Sequence, residues 1–380
     1  MTGQFVGDEA VRPVRAAHPR STHESLGVSG PRRRIPQIDI LKGLAILGVT
    51  AQHAFASAFL YRAWDFVYLA QAVPIFFVLM GLNASRSLSK AAPITLRRLY
   101  TPRYFRERFD RLVVPFLLLW PAAAGVALAF GEFHVGPLAL LGVYPSTGGP
   151  GTYFVTILFE FALVFPFVFW CLVRSPLLTS IALIALDVGF NVLAPHVGVF
   201  TATSAGHYIY DAAISKYAIV ILAGFWLTRV EVNRKLILRL TPFAVAGVIY
   251  LILLHQDPQA FNWLINSFSR PTNFLSAGYA IWLTCLGLLF LPSETHSIVS
   301  RVLARLGRAS YHIFLVQIVW FSVARNHSWY LALLGIVACS GIGYLYFVFL
   351  ERVRFRVATR PGVAIHPVRP RLLDSPAHGD

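Results

Sequence analysis

Asp39, Lys42 and His53 have the types and spacing for proton-transfer chemistry inside a membrane. They sit in RIPQIDILKGLAILGVTAQHAF, residues 34–55. His53 lies eleven residues past Lys42, about 16 Å along a helix axis and about 20° past three full turns. The two therefore share one face, with Asp39 about 40° to the other side of His53. A neutral imidazole takes a proton from a hydroxyl and returns it to a leaving group. If Lys42 marks one surface, a span over 38–60 puts His53 near mid-membrane, where an ionisable residue is costly and signals function. Asp39 and Lys42 also read as an ordinary helix-start carboxylate and a snorkelling lysine. In the functional reading, Lys42 faces a polar cavity beneath His53 and meets a phosphate or thioester.

Other charged residues extend the pattern. The stretch SRSLSKAAPITLRRLYTPRYFRERFDRLVVPF interleaves arginines with Leu, Tyr and Phe, as an amphipathic segment at a membrane surface does. Arg108 and Arg111, three apart, offer planar donor forks that suit phosphate; the plain alternative is attraction to anionic lipid. Glu160 stands inside GTYFVTILFEFALVFPFVFW, and a carboxylate there needs a partner. Its candidate roles are orienting His53 or binding substrate hydroxyls. Asp211 and Lys216 are five apart, a poor spacing for direct contact along one helix. Glu351 stands among Arg352, Arg354 and Arg356, as surface ion pairs do.

These residues are carried by a membrane chain. Of 380 residues, 56% are hydrophobic and only 13% charged, with mean hydropathy +0.62. That leaves too little polar surface for a soluble globule, which carries about 25% charged residues. Long continuous apolar runs exclude an outer-membrane barrel. The expected fold is an all-α, polytopic transmembrane helical bundle of about ten spans: 38–60, 66–85, 113–131, 152–173, 176–193, 208–228, 236–254, 273–291, 310–325 and 329–350. The fifth is weakened by Asp187 and Asn191.

Lys and Arg set the orientation. With both termini cytoplasmic, 28 of the 33 fall on inner segments, and only Arg62, Arg270 and Arg325 on outer loops. This distribution accounts for the net charge of +16 without a nucleic-acid partner. Residues 1–35 read as a disordered basic tail without signal-peptide character, 36–352 as the membrane domain and 353–380 as a second basic tail. Cys171, Cys285 and Cys339 lie in apolar runs and read as buried hydrophobes, with no disulfide or metal spacing.

Several phrases in order resemble the membrane-bound acyltransferase 3 family. They are Asp39, Lys42–Gly43 and His53; VPIFFVLMGL at 73–82; Arg108-Phe-Asp-Arg111 before Pro115; Leu306 to Tyr311, reading LGRASY; and Glu351. The resemblance covers about residues 36–355. It implies an O-acyltransferase of the inner, cytoplasmic membrane, with no permanently bound cofactor. It implies a cytoplasmic acyl-CoA donor, usually acetyl-CoA, and a hydroxyl acceptor on a carbohydrate or lipid-linked glycan. By the same carry-over His53 is catalytic and Arg108 and Arg111 help hold the donor; Asp39 and Glu160 are the further catalytic candidates, and Lys42, Ser310 and Tyr311 the further donor-binding ones.

Lys42 replaces the usual Arg, and Gln317 stands where many members have a His. No hydrolase-like module follows the last span. The outer loops that would select an acceptor offer His134, Tyr144, His196, His207, Trp263 and Arg270. The alternative is a transporter or flippase of a sugar or lipid precursor, with His53, Glu160, Asp211 and Lys216 as a relay. No repeat relates two halves of the chain, as transporter folds usually require.

Overall fold

The computed structural model describes residues 35–358, apart from 92, 132, 134–143, 145–148, 202, 262, 265–270 and 325–327. The arginines of the N-terminal tail and the acceptor-loop candidates His134 and Arg270 lie outside the described residues. Among the described residues every regular element is helical. The helices that matter here are α1 (Pro36–Ala54), α2 (Ala72–Leu88), α3 (Pro102–Arg108), α4 (Val114–Ala129), α5 (Tyr153–Arg174) and α6 (Pro176–Leu193). They continue with α7 (Ser204–Ala212), α8 (Ala218–Trp226), α9 (Arg234–Gln256), α10 (Phe274–Phe290), α11 (Ile298–Arg308), α12 (Ser310–Val323) and α13 (Trp329–Ala358).

Each expected span has a helix in its place. Among the described residues seven helical stretches are long and apolar enough to cross a membrane, including Tyr153–Arg174, Arg234–Gln256 and Trp329–Phe355. α10 and α12 are apolar but shorter. The molecule is apolar outside as well as inside. Leu117, Leu118, Leu177, Leu178, Val337 and Leu345 are all more than half exposed, as lipid-facing residues are. Phe77, Val78, Leu79, Phe225, Ile313 and Leu315 are fully enclosed and form the core.

Small residues set the closest approaches, because helix association in lipid depends on packing rather than on water exclusion. A Cβ on Gly81 would fall 2.2 Å from Ile221 O, and one on Gly224 would fall 2.1 Å from Val78 O. The glycine of the FF-x-x-x-G phrase thus lets α2 and α8 touch backbone to backbone. Gly43 and Gly307 do the same for α1 and α11, with 2.1 Å to Leu303 O and 1.8 Å to Asp39 O.

Two expectations need correction. The expected first span, 38–60, is shorter as a helix: α1 ends at Ala54 and Phe55 turns extended (φ −89°, ψ 150°). His53 is therefore in the last turn of α1 and not in the middle of a longer helix. The apolar run continues past Phe55, so hydropathy alone could not mark this end. The expected sixth span, 208–228, is not one helix. It is broken: α7 ends at Ala212, a 3₁₀ turn covers Ile214–Tyr217, and α8 begins at Ala218.

Candidate functional site

The His53 end of α1 is shaped by the turn that leads into α5. Gly151 has φ +86°, a conformation natural only to glycine. A Cβ there would lie 3.3 Å from His53 Nε2 and 3.2 Å from the Phe314 ring. A Cβ on Gly149 would overlap Ile318 O at 1.9 Å. The two glycines let this turn lie directly on α12 and against the imidazole. One turn below His53, Thr50 Oγ1 is 2.8 Å from Ile46 O and 2.8 Å from Gln317 Oε1. Gln317 is fully buried, and its Nε2 has no hydrogen-bond partner among the described residues. His53 makes no hydrogen bond to a described residue and is partly enclosed. The glycine turn lies against the imidazole and against the Phe314 ring, and Phe314 in turn packs on Phe154 at 4.8 Å.

At the other end, α1 is unbroken from Asp39 through Lys42 to His53, so the shared face expected of these three is built into one rigid element. Asp39 and Gly43 lie against α11, and α12 starts at Ser310, two residues after α11 ends. Tyr311 then reaches across to donate its hydroxyl to Leu112 O at 2.7 Å.

That carbonyl belongs to a π-turn, Phe109–Val113, between α3 and α4. A π-turn bonds i to i+5, leaves local carbonyls for outside partners, and recurs at functional sites. Arg354 donates to Asp110 O, and Tyr346 donates to Pro115 O at 2.6 Å. Arg111 is on this turn. Arg108 closes α3 with its guanidinium 5.1 Å above the Tyr104 ring. The two arginines thus lie on different elements, Arg108 at the end of α3 and Arg111 on the π-turn, and not on one α-helical face as expected. Glu351 pairs with Arg354 at 3.1 Å and so supports the group that holds the turn. The LGRASY segment and the arginine turn are thus one connected assembly, and α11 packs it against the Lys42 end of α1.

Glu160 is elsewhere. It accepts the Ile214 N–H at 2.8 Å, and it lies nine residues beyond Gly151, about 13 Å along α5. The structure does not bring it to His53. Its partner is the broken backbone between α7 and α8. Asp187 of α6 serves the same break: Oδ2 accepts the Ile219 N–H at 2.9 Å and Oδ1 accepts Asn191 Nδ2 at 2.9 Å. Helix starts leave unsatisfied N–H groups, and lipid offers no water to satisfy them.

Lys216 lies in the 3₁₀ turn with its side chain 2% exposed. It pairs with Asp211 at 2.9 Å and sits 4.4 Å over the Tyr210 ring. The two residues meet because the helix between them is broken, which corrects the objection drawn from their spacing. Tyr144 is buried against Phe116 at a ring separation of 4.7 Å, so it is not an exposed platform for a sugar. His196 and Trp263 are exposed and His207 is partly buried.

Sequence reasoning missed Thr50, Gly149, Gly151 and Tyr346. The GGPG run before an apolar stretch was the available signal for the glycine turn; nothing in the sequence marks Tyr346.

No curated protein and no solved structure matches the chain significantly. The family model Acyl_transf_3, described as an acyltransferase domain, matches residues 35–352. That interval holds α1 with its His53, the arginine turn and the LGRASY corner, and it disfavours the transporter reading. The chain therefore belongs to the membrane acyltransferase 3 family and is an acyltransferase enzyme of a membrane.

Proposed function

We propose that the protein is an inner-membrane O-acyltransferase that moves an acetyl group from cytoplasmic acetyl-CoA to a hydroxyl of a carbohydrate or lipid-linked glycan. In this reading both termini are cytoplasmic. The diphosphate of the donor lies at Arg108, Arg111 and Lys42, with Ser310 and Tyr311 beside it. Asp39 holds the charge balance at the foot of α1. The thioester reaches His53, about 16 Å from Lys42, a distance an extended pantetheine arm can cover. His53 removes the acceptor proton, the hydroxyl oxygen attacks the thioester carbon, and the C–S bond breaks. The CoA sulfur leaves with the proton that His53 gave up. Glu160 serves the acceptor side only through the α7–α8 break that it holds.

The observation that carries this reading is the unbroken α1. It joins the assembly of basic side chains at one end to an imidazole with no described hydrogen-bond partner at the other. The test is label transfer from [¹⁴C]acetyl-CoA in membranes of the producing cells. Membranes with the protein should move label onto an acceptor, and His53→Ala membranes with equal protein should not. Undiminished transfer by His53→Ala removes the assignment.

A further inference from the structure

Acyl transfer through His53 places a negative charge on the former carbonyl oxygen of the thioester, and that oxygen needs donors. Lys42 is about 16 Å away along α1 and cannot serve. Among the buried polar groups left without a partner in the described residues, Gln317 is the one tied directly to α1 beside His53. Gln317 Nε2 is fully buried without a partner among the described residues, a costly state for an amide N–H₂. Its position is fixed from two sides. Its amide oxygen meets Thr50, three residues before His53 on α1. Its neighbours on α12, Phe314 and Ile318, lie against Gly151 and Gly149 of the turn that touches the imidazole. That turn opens α5, a 22-residue helix whose positive N-terminal end stands at the same place.

We propose that the Gln317 amide N–H₂ and the N-terminal end of α5 form the oxyanion hole of this enzyme. The inference rests on the acyl-transfer reading above. As the acceptor hydroxyl gives its proton to His53, the new C–O bond forms and the carbonyl π-electrons move onto oxygen. Gln317 Nε2 donates a hydrogen bond to that oxyanion. When the C–S bond breaks, the carbonyl re-forms, and the CoA sulfur takes the proton from the imidazolium. Gln317 is thus a catalytic residue that touches the reacting carbonyl.

The amide direction makes the proposal sharp. Thr50 has a single hydroxyl hydrogen for two acceptors at 2.8 Å. Placed on Gln317 Oε1, it assigns the amide oxygen to Thr50 and leaves the N–H₂ group as the free donor, which in this proposal meets the reacting carbonyl. Gln317→Met keeps the volume and removes the donor; Gln317→Glu presents acceptors in place of the N–H₂; Gln317→His restores a ring N–H. Loss of one such donor lowers turnover about 10²–10³-fold. Gln317→Met and Gln317→Glu should show that loss in [¹⁴C]acetyl transfer, and Gln317→His should stay within about tenfold of wild type.

A second readout does not depend on turnover. In His53→Ala protein loaded with [1-¹³C]acetyl-CoA, the bound carbonyl band should lie at lower wavenumber than in free acetyl-CoA. Adding Gln317→Met should return it toward the free value. An unshifted band in His53→Ala, or full activity of Gln317→Glu, overturns the oxyanion assignment and leaves the role of His53 standing. Failure of His53→Ala to bind acetyl-CoA at all overturns the donor reading beneath it.

Discussion

Replacing Gly151 by alanine tests whether the glycine turn positions the imidazole or merely turns the chain. The added Cβ would sit 3.2 Å from the Phe314 ring and 3.3 Å from His53 Nε2, so both must give by a few tenths of an ångström. At φ +86° an L-residue also carries a backbone penalty of about 1–2 kcal/mol. A 1 Å misplacement in an active site costs about 10²-fold, so a shift of about 0.3–0.5 Å scales to about 4–10-fold.

Gly151→Ala should therefore lower the rate of [¹⁴C]acetyl transfer at saturating acetyl-CoA by about that factor. The KM for acetyl-CoA should stay near wild type, because the basic residues are at the far end of α1. Unfolding in detergent should move down by a few degrees (about 2–4 °C per kcal/mol, or less for a chain of this length). The control is Gly125→Ala in α4, where nothing lies within 4 Å of the new Cβ. It should keep the rate and gain up to about 1 kcal/mol of helix stability. A Gly151→Ala enzyme with reduced stability and an unchanged rate would refute the positioning argument. A rate loss matched by Gly125→Ala would show that the assay reports membrane insertion.

Tyr311→Phe removes the donor to Leu112 O and should loosen the arginine turn by about 1 kcal/mol. That corresponds to a KM for acetyl-CoA raised about fivefold with kcat retained, read from initial rates; an unchanged KM would separate the turn from donor binding. Lys216→Met strands the Asp211 carboxylate beside the broken helix. The cost should be about 3 kcal/mol, the low end for a broken buried pair, since Asp211 is 30% exposed. Pairing it with Asp211→Asn should recover most of the folded fraction in detergent, and a double variant no better than the single one would refute the coupling.

Helix positions were legible because apolar runs of membrane length leave few alternatives, and even Asp187 and Asn191 did not stop α6. The order Asp39, Lys42, His53 was legible for a related reason: one rigid helix converts sequence spacing into direction. Helix ends and breaks were not. Phe55 and Ala213 are as apolar as their neighbours, so only tertiary contacts mark where α1 and α7 stop. Glu160 was visible as a buried carboxylate, but its acceptor role toward Ile214 N–H depends on a break the sequence did not reveal. The arginine pair was visible, whereas the π-turn was not: its two donors, Tyr311 and Arg354, lie 199 and 244 positions from the carbonyls they hold.

The carboxylates that satisfy the α7–α8 break impose an order on biogenesis. A broken segment entering lipid alone would expose bare peptide groups, each costing several kcal/mol. Glu160 and Asp187 both precede that segment in the chain and so leave the ribosome first. Their two helices can be waiting in the bilayer as a hairpin, with acceptors in place, when residues 204–226 arrive. A rearranged gene that delivers those residues ahead of the hairpin would present the insertion machinery with a span that has no means of staying in.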